Sequence, residues 1–215
     1  MNWKRLFSGL RGGRGARLTP ELRARIQSSF DQAAGDEEHF PSTIDPRIYH
    51  VKLLRNHLGD LSGKRVLDAG CGKGRFARVL KEQEPACEIW GLDISEEMLR
   101  FVPQGIHTRA GSMTELPFED GYFDAAYATE SLEHAVEIER AVSELCRVVK
   151  PGGRIAIIDK NAAQWGKLQT PNGSNGSRAR AWSGCCGAIA GRYRAGTSRI
   201  GKTWRPTGCS WRGWR

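Results

Sequence analysis

Residues Val66 to Phe76 read V-L-D-A-G-C-G-K-G-R-F, an apolar run, an acid and three alternate glycines opening onto a helical pattern. A strand that turns this tightly into a helix commits the chain to a βα unit, because glycine admits left-handed turns and close backbone approach. The spacing also restricts the ligand. A dinucleotide fingerprint, G-x-G-x-x-G, needs its third glycine at position 75, and that position holds Arg75. What remains, D-x-G-x-G-x-G, lets a small nucleoside ligand approach the main chain. Asp68 stands at the strand end, and the amides of the turn are expected to face the ligand. Cys71 inside the loop reads as a small residue rather than a nucleophile.

From Lys64 onward the pattern alternates. Strands are expected at 65–69, 88–93, 106–110, 123–128 and 154–159, and helices at 75–82, 95–102 and 136–149. Ser95 is placed to cap the second of these helices, with Glu96 and Glu97 complementing its dipole. Asp120-Gly121 marks a turn, and Pro151-Gly152-Gly153 ends the last helix. Five βα units in succession predict an α/β fold, a Rossmann-like, doubly wound, mostly parallel sheet with its ligand at the C-terminal strand edges. Upstream, Thr19 and Pro20 open a helix with Leu22, Ile26 and Phe30 on one face. A second helix at 46–58 carries Ile48, Val51, Leu54 and Leu58. The chain of 215 residues thus divides into a basic N-terminal arm with cap helices (1–60), a ligand-binding domain (61–165) and a tail (166–215).

The net charge of +9 is a property of the tail. Ten of the 33 Lys and Arg residues lie in 161–215, where no acid occurs, so residues 1–160 hold 23 basic against 24 acidic. A basic nucleic-acid-binding domain is therefore not expected. No run approaches the roughly 18 apolar residues of a membrane span, and no secretory leader pattern opens the chain. The six cysteines form no C-x-x-C pair. They read as free thiols in a reducing compartment, which predicts a cytoplasmic protein without a metal site.

The later segments carry a resemblance. G-S-M-T-E-L-P-F-E-D-G-Y-F-D-A-A-Y-A-T-E-S-L-E-H, followed by E-L-C-R-V-V-K-P-G-G-R-I-A-I, together with the glycine loop, resembles the class I S-adenosylmethionine-dependent methyltransferases. The match is to their type 11 small-molecule subgroup, near the ubiquinone/menaquinone C-methyltransferases. It implies that the loop of Gly70, Cys71, Gly72 and Gly74 holds S-adenosylmethionine, with Asp68 receiving its ammonium. Asp93, 19 residues beyond Gly74, is implied to accept the ribose hydroxyls, with Ile94 and Met98 beside it. Gly111, Ser112 and Met113 are implied to contact the adenine, and Ala128, Thr129 and Glu130 to line the methionine and substrate side. Ser112 departs from the subgroup, which commonly has an acid there.

The implied reaction is in-line displacement at the sulfonium methyl by an O, N or activated C nucleophile, and alignment supplies most of the catalysis. A general base depends on the acceptor. Glu130, His134 and His50 are its candidates, although His134 in L-E-H reads first as an anchor of the loop after the fourth strand. Phe40 and Tyr49 are substrate-side candidates, with core packing as the plainer reading, and Asp159 to Asn161 follow the fifth strand toward the same pocket.

After Gln169 the composition changes. Leu168, Ile189 and Ile200 are the only Leu, Ile, Val or Phe residues between 166 and 215, while Gly, Arg and Trp abound. Such a segment buries too little to order itself, which predicts a disordered tail. Yet the subgroup implies two more strands here. A reading-frame shift near Pro171 accounts for both facts. Trp and Cys codons begin TG, so joining a preceding third base to that TG encodes Leu, Met or Val. Trp182, Cys185 and Cys186 then become an apolar i, i+3, i+4 set. Taken at face value, the tail's cations interleaved with Trp182, Trp204, Trp211 and Trp214 instead fit RNA, as an RNA methyltransferase or binder. A nicotinamide oxidoreductase is the third reading, opposed by Arg75.

Overall fold

The computed structural model describes residues 17–159 in full, together with the backbone of 187–196 and 207–213. Two helices lead, α1 (Pro20–Ala33) and α2 (Tyr49–Leu58), followed by β1 (Arg65–Ala69) and α3 (Arg75–Gln83). Next come β2 (Glu88–Asp93), α4 (Glu96–Leu99), β3 (His107–Ala110), β4 (Phe123–Thr129), a 3-10 turn at Leu132–His134, α5 (Ile138–Val148) and β5 (Val149–Asp159). Strands β6 (Gly187–Gly196) and β7 (Thr207–Gly213) close the order.

One seven-stranded sheet runs β3-β2-β1-β4-β5-β6-β7. Strands β1 to β5 pair in parallel, as the βα alternation predicts. The order reverses direction between β1 and β4, and a crevice opens at the carboxyl ends of strands at such a reversal. In β1, Val66 to Ala69 are all buried, as expected of a central strand covered on both faces. Val66 and Tyr127 pack on one face with Val51, Leu54, Leu58 and Leu80. Leu67 and Ala126 pack on the other with Leu145, Val148 and Ile155.

Several boundaries differ from expectation. Helix α2 starts at Tyr49 rather than 46, and α4 stops at Leu99 rather than 102. Ser95 does cap α4, its hydroxyl accepting the Met98 amide at 3.1 Å. Strand β5 begins at Val149 and runs through Pro151-Gly152-Gly153, which the sequence marks as a stop. The register with β4 slips there, from Phe123–Val149 to Ala125–Arg154. Glycine makes the slip possible: Gly152 sits at φ 82°, and a Cβ on Gly153 would lie 2.7 Å from the Asp124 carbonyl oxygen.

Beyond β5, β6 lies antiparallel on it and β7 antiparallel on β6, so two strands continue the sheet within 166–215. Ladder hydrogen bonds are main-chain bonds and form without aliphatic side chains. The segment 171–186, where the frame shift would begin, lies outside the described residues, as do Trp182, Trp204 and Trp214.

Candidate active site

A cavity of about 150 Å³ opens over the carboxyl ends of β1, β2 and β4. Asp68 and Asp93 form its acidic floor. Asp68 is 2% exposed, and its Oδ2 accepts the Tyr127 hydroxyl at 3.0 Å. Burial pushes this carboxyl up to about 7, against the opposing pull of the Tyr127 hydrogen bond. Asp93 Oδ2 accepts the Gly72 amide at 2.8 Å and Oδ1 the Ser95 amide at 3.0 Å. Burial raises its pKa as well, while those amides lower it. Each Asp93 oxygen keeps a further lone pair for a hydroxyl donor.

The loop between β1 and α3 is wound by glycines at φ 75°, 53° and 75° (Gly70, Gly72, Gly74). Its amides are less available than expected. Gly70 and Cys71 both donate to the Leu92 carbonyl, at 2.7 and 3.0 Å, and Gly74 donates to Cys71 at 2.9 Å. With Gly72 bound to Asp93, these four amides are taken by the protein itself. Close approach is nonetheless preserved, since a Cβ on Gly72 would meet nothing within 4 Å. Gly74 does not line the cavity; it caps α3 and packs against Val102, its own role being conformational. Cys71 lies against Gly91, and burial holds its thiol well above the ordinary value, which disfavours the thiolate.

The structure brings the other expected residues to the same cavity. Ile94, Met98, Ser112, Met113, Thr129, Glu130 and His134 all line it, and Ala128 does not. The Ser112 hydroxyl is engaged with Thr114 Oγ1 at 2.8 Å. Thr129 Oγ1 is buried without a hydrogen-bond partner. Glu130 sits at φ 52°, a left-handed conformation, with Oε2 2.5 Å from Arg75 Nη2. His134 ends the 3-10 turn, 3.5 Å from Glu133 Oε1 and edge-on to Phe30. His50 stands outside the lining, 4.0 Å from Glu130 Oε1. Tyr49 is 63% exposed and Asp159 binds the Glu133 amide at 3.0 Å, so neither reaches the pocket. Lys160 and Asn161 lie outside the described residues.

Three features escape a reading of the sequence. Lys73 is 3% exposed, its ammonium 2.6 Å from Glu37 Oε1 and 4.7 Å from the Phe101 ring centroid. A cation inside a glycine loop was the available signal. The roof comes from Leu18, Ile26, Phe30, Phe40 and Pro41, of which only Phe40 stood out as a pocket residue. The Tyr127–Asp68 bond follows from the β1–β4 register, for which no local signal exists.

Known proteins resemble the part of the chain that builds this cavity. Residues 67–157 match the family described as a methyltransferase domain. That stretch of the chain is similar to a methyltransferase domain. Demethylmenaquinone methyltransferase of Lactococcus lactis is 30% identical over 154 residues, 66% of this chain and 61% of that protein. Malonyl-[acyl-carrier protein] O-methyltransferase of Methylococcus capsulatus is 37% identical over 119 residues, 53% of this chain and 43% of that one. The solved S-adenosylmethionine-dependent methyltransferase of Mesorhizobium loti superposes with a TM-score of 0.50 at 27% identity, covering 55% of this chain and 57% of that one. The chain spans about half the length of the curated relatives it matches.

S-adenosylmethionine is the cofactor such domains take, and the residues lining this cavity fit it. Two buried acids can meet an ammonium and a ribose diol, Thr129, whose buried hydroxyl has no partner, lines the cavity, and Gly72 leaves room at the main chain. Among the described residues no helix is long and apolar enough to cross a membrane, and no cluster of metal-ligating side chains occurs.

Proposed function

We propose that this chain transfers a methyl group from S-adenosylmethionine to a small-molecule acceptor. The observation that carries the reading is the pair of buried acids at neighbouring strand ends, Asp68 and Asp93, opening into one cavity with an apolar roof. When bound, the cofactor supplies a methyl group on a sulfonium, whose departure as a neutral thioether needs no acid. Asp93 holds the ribose hydroxyls with the lone pairs that Gly72 and Ser95 leave unused. Asp68 takes the ammonium, and the Tyr127 hydroxyl orients that carboxylate from behind. Ile94, Met98, Ser112 and Met113 enclose the nucleoside, and Thr129 donates its otherwise unpartnered hydroxyl.

The acceptor lies beneath α1, against Phe30 and Phe40, and the apolar roof excludes water that would compete as nucleophile. His134 and Glu130 stand on that side as the groups able to accept a proton from an O or N nucleophile, an assistance needed only where the acceptor is not already ionised. Calorimetric titration of S-adenosylhomocysteine into the full chain tests the reading. Micromolar binding that Asp93→Ala abolishes supports it. Equal binding to both proteins sinks it.

A further inference from the structure

Four loop amides, those of Gly70, Cys71, Gly72 and Gly74, donate within the protein and are not free for the α-carboxylate of the cofactor. A cationic side chain on the cavity wall can supply its counter-charge. Two long cationic side chains line the cavity, Lys73 and Arg75. Lys73 is held under the N-terminal segment by Glu37 and by the Phe101 ring. Arg75 is placed differently. It is the first residue of α3, at the helix end that favours anions. Among the described residues its guanidinium makes one hydrogen bond, from Nη2 to Glu130 Oε2 at 2.5 Å, out of five available N–H donors. Both side chains line the cavity and are partly exposed, 27% for Arg75 and 36% for Glu130.

Glu130 is the one non-glycine residue at positive φ among the described residues, anchored there by its backbone N–H, which donates to the Ile158 carbonyl at 2.8 Å. Strained backbone of this kind persists where the surroundings hold it and gathers at ligand sites. Here it presents a carboxylate to the guanidinium across the mouth of the cavity.

We propose that Arg75 is the receptor for the amino-acid carboxylate of S-adenosylmethionine, and that Glu130 is the internal anion occupying this guanidinium until the cofactor arrives. The inference rests on the methyltransferase reading and adds the second half of the amino-acid grip: Asp68 meets the ammonium and Arg75 the carboxylate. Arrival of the cofactor carboxylate loosens the Arg75–Glu130 pair and leaves Glu130 free toward the acceptor side, where His50 Nε2 already lies 4.0 Å from its other oxygen. Arg75 and Glu130 are thus exchange partners, and Glu130 competes with the ligand it makes room for.

The test compares S-adenosylhomocysteine with 5′-methylthioadenosine, which keeps the adenosine and thioether but lacks the amino acid. Both are titrated calorimetrically into the full chain and its variants. Arg75→Met is expected to weaken S-adenosylhomocysteine about 10- to 100-fold, the loss of a charge-assisted hydrogen bond, while 5′-methylthioadenosine affinity stays within about twofold. Glu130→Gln is expected to tighten S-adenosylhomocysteine several-fold by removing the competing anion. Unchanged S-adenosylhomocysteine affinity in Arg75→Met, or equal weakening of both ligands, overturns the inference and leaves the methyltransferase reading standing. Should Arg75→Met bind neither ligand, Glu130→Gln decides: tightening sustains the inference and unchanged affinity overturns it. A wild-type chain that binds neither ligand overturns the methyltransferase reading and this inference together.

Discussion

Replacing Asp68 by Asn separates what the cavity costs in stability from what it does. Asp68 is 2% exposed and faces Tyr127, Asp93 and Arg75, and burial lifts its pKa from 3.8 to about 7. The folded chain therefore holds a proton here that the unfolded chain releases at lower pH. Because the folded-state pKa is raised, stability falls as pH rises between about 4 and 7 and is flat above, by up to about 1.4 kcal/mol per unit. Over the full interval this approaches about 4 kcal/mol as an upper limit, and interior relaxation reduces it to an expected 1–3 kcal/mol, roughly. Asn keeps the shape and an acceptor for the Tyr127 hydroxyl but does not titrate. The Asp68→Asn variant should thus match wild type near pH 4 and exceed it at pH 7.5, while its S-adenosylhomocysteine affinity collapses for want of a counter-charge to the ammonium. Urea denaturation at several pH values, with titration alongside, measures both. A stability difference that does not change between pH 4 and 7.5 refutes the argument.

Two further substitutions probe the loop and the orphaned hydroxyl. Gly70→Ala puts a Cβ 2.5 Å from that of Ser131 at φ 75°, and should cost more than about 2 kcal/mol by denaturant midpoint. Gly72→Ala meets nothing within 4 Å. It should cost only about 1 kcal/mol of left-handed strain while weakening S-adenosylhomocysteine; equal stability losses at the two glycines contradict this account. Thr129→Val removes a buried hydroxyl that has no partner in the free protein. It should stabilise the chain by about 1 kcal/mol and weaken the cofactor analogue several-fold, and a loss of unliganded stability would show that the hydroxyl has a structural partner.

Local chemistry made much of this legible. The apolar run into D-A-G-C-G-K-G marked β1 and its turn, and Thr19 and Ser95 were readable as caps because a cap is satisfied within three residues. Five strands and the acids at the ends of β1 and β2 followed from period and spacing. Long-range placement was not legible. No local pattern reports that Tyr127 sits beside Asp68, that Arg75 reaches Glu130 55 residues away, or that Lys73 is buried under Glu37. Nor did composition reveal that 187–196 pairs with β5, since a ladder is built from main-chain groups that every residue but proline supplies.

The sequence by itself determined the α/β architecture, the glycine loop and the two acids, because these depend on periodicity and on glycine's freedom at positive φ. Only the tertiary structure decided which of the loop's amides are taken, which acid each cavity cation pairs with and what roofs the cavity. Those depend on strand register and on side chains brought together from distant segments, and a one-residue change of register would rearrange every one of them.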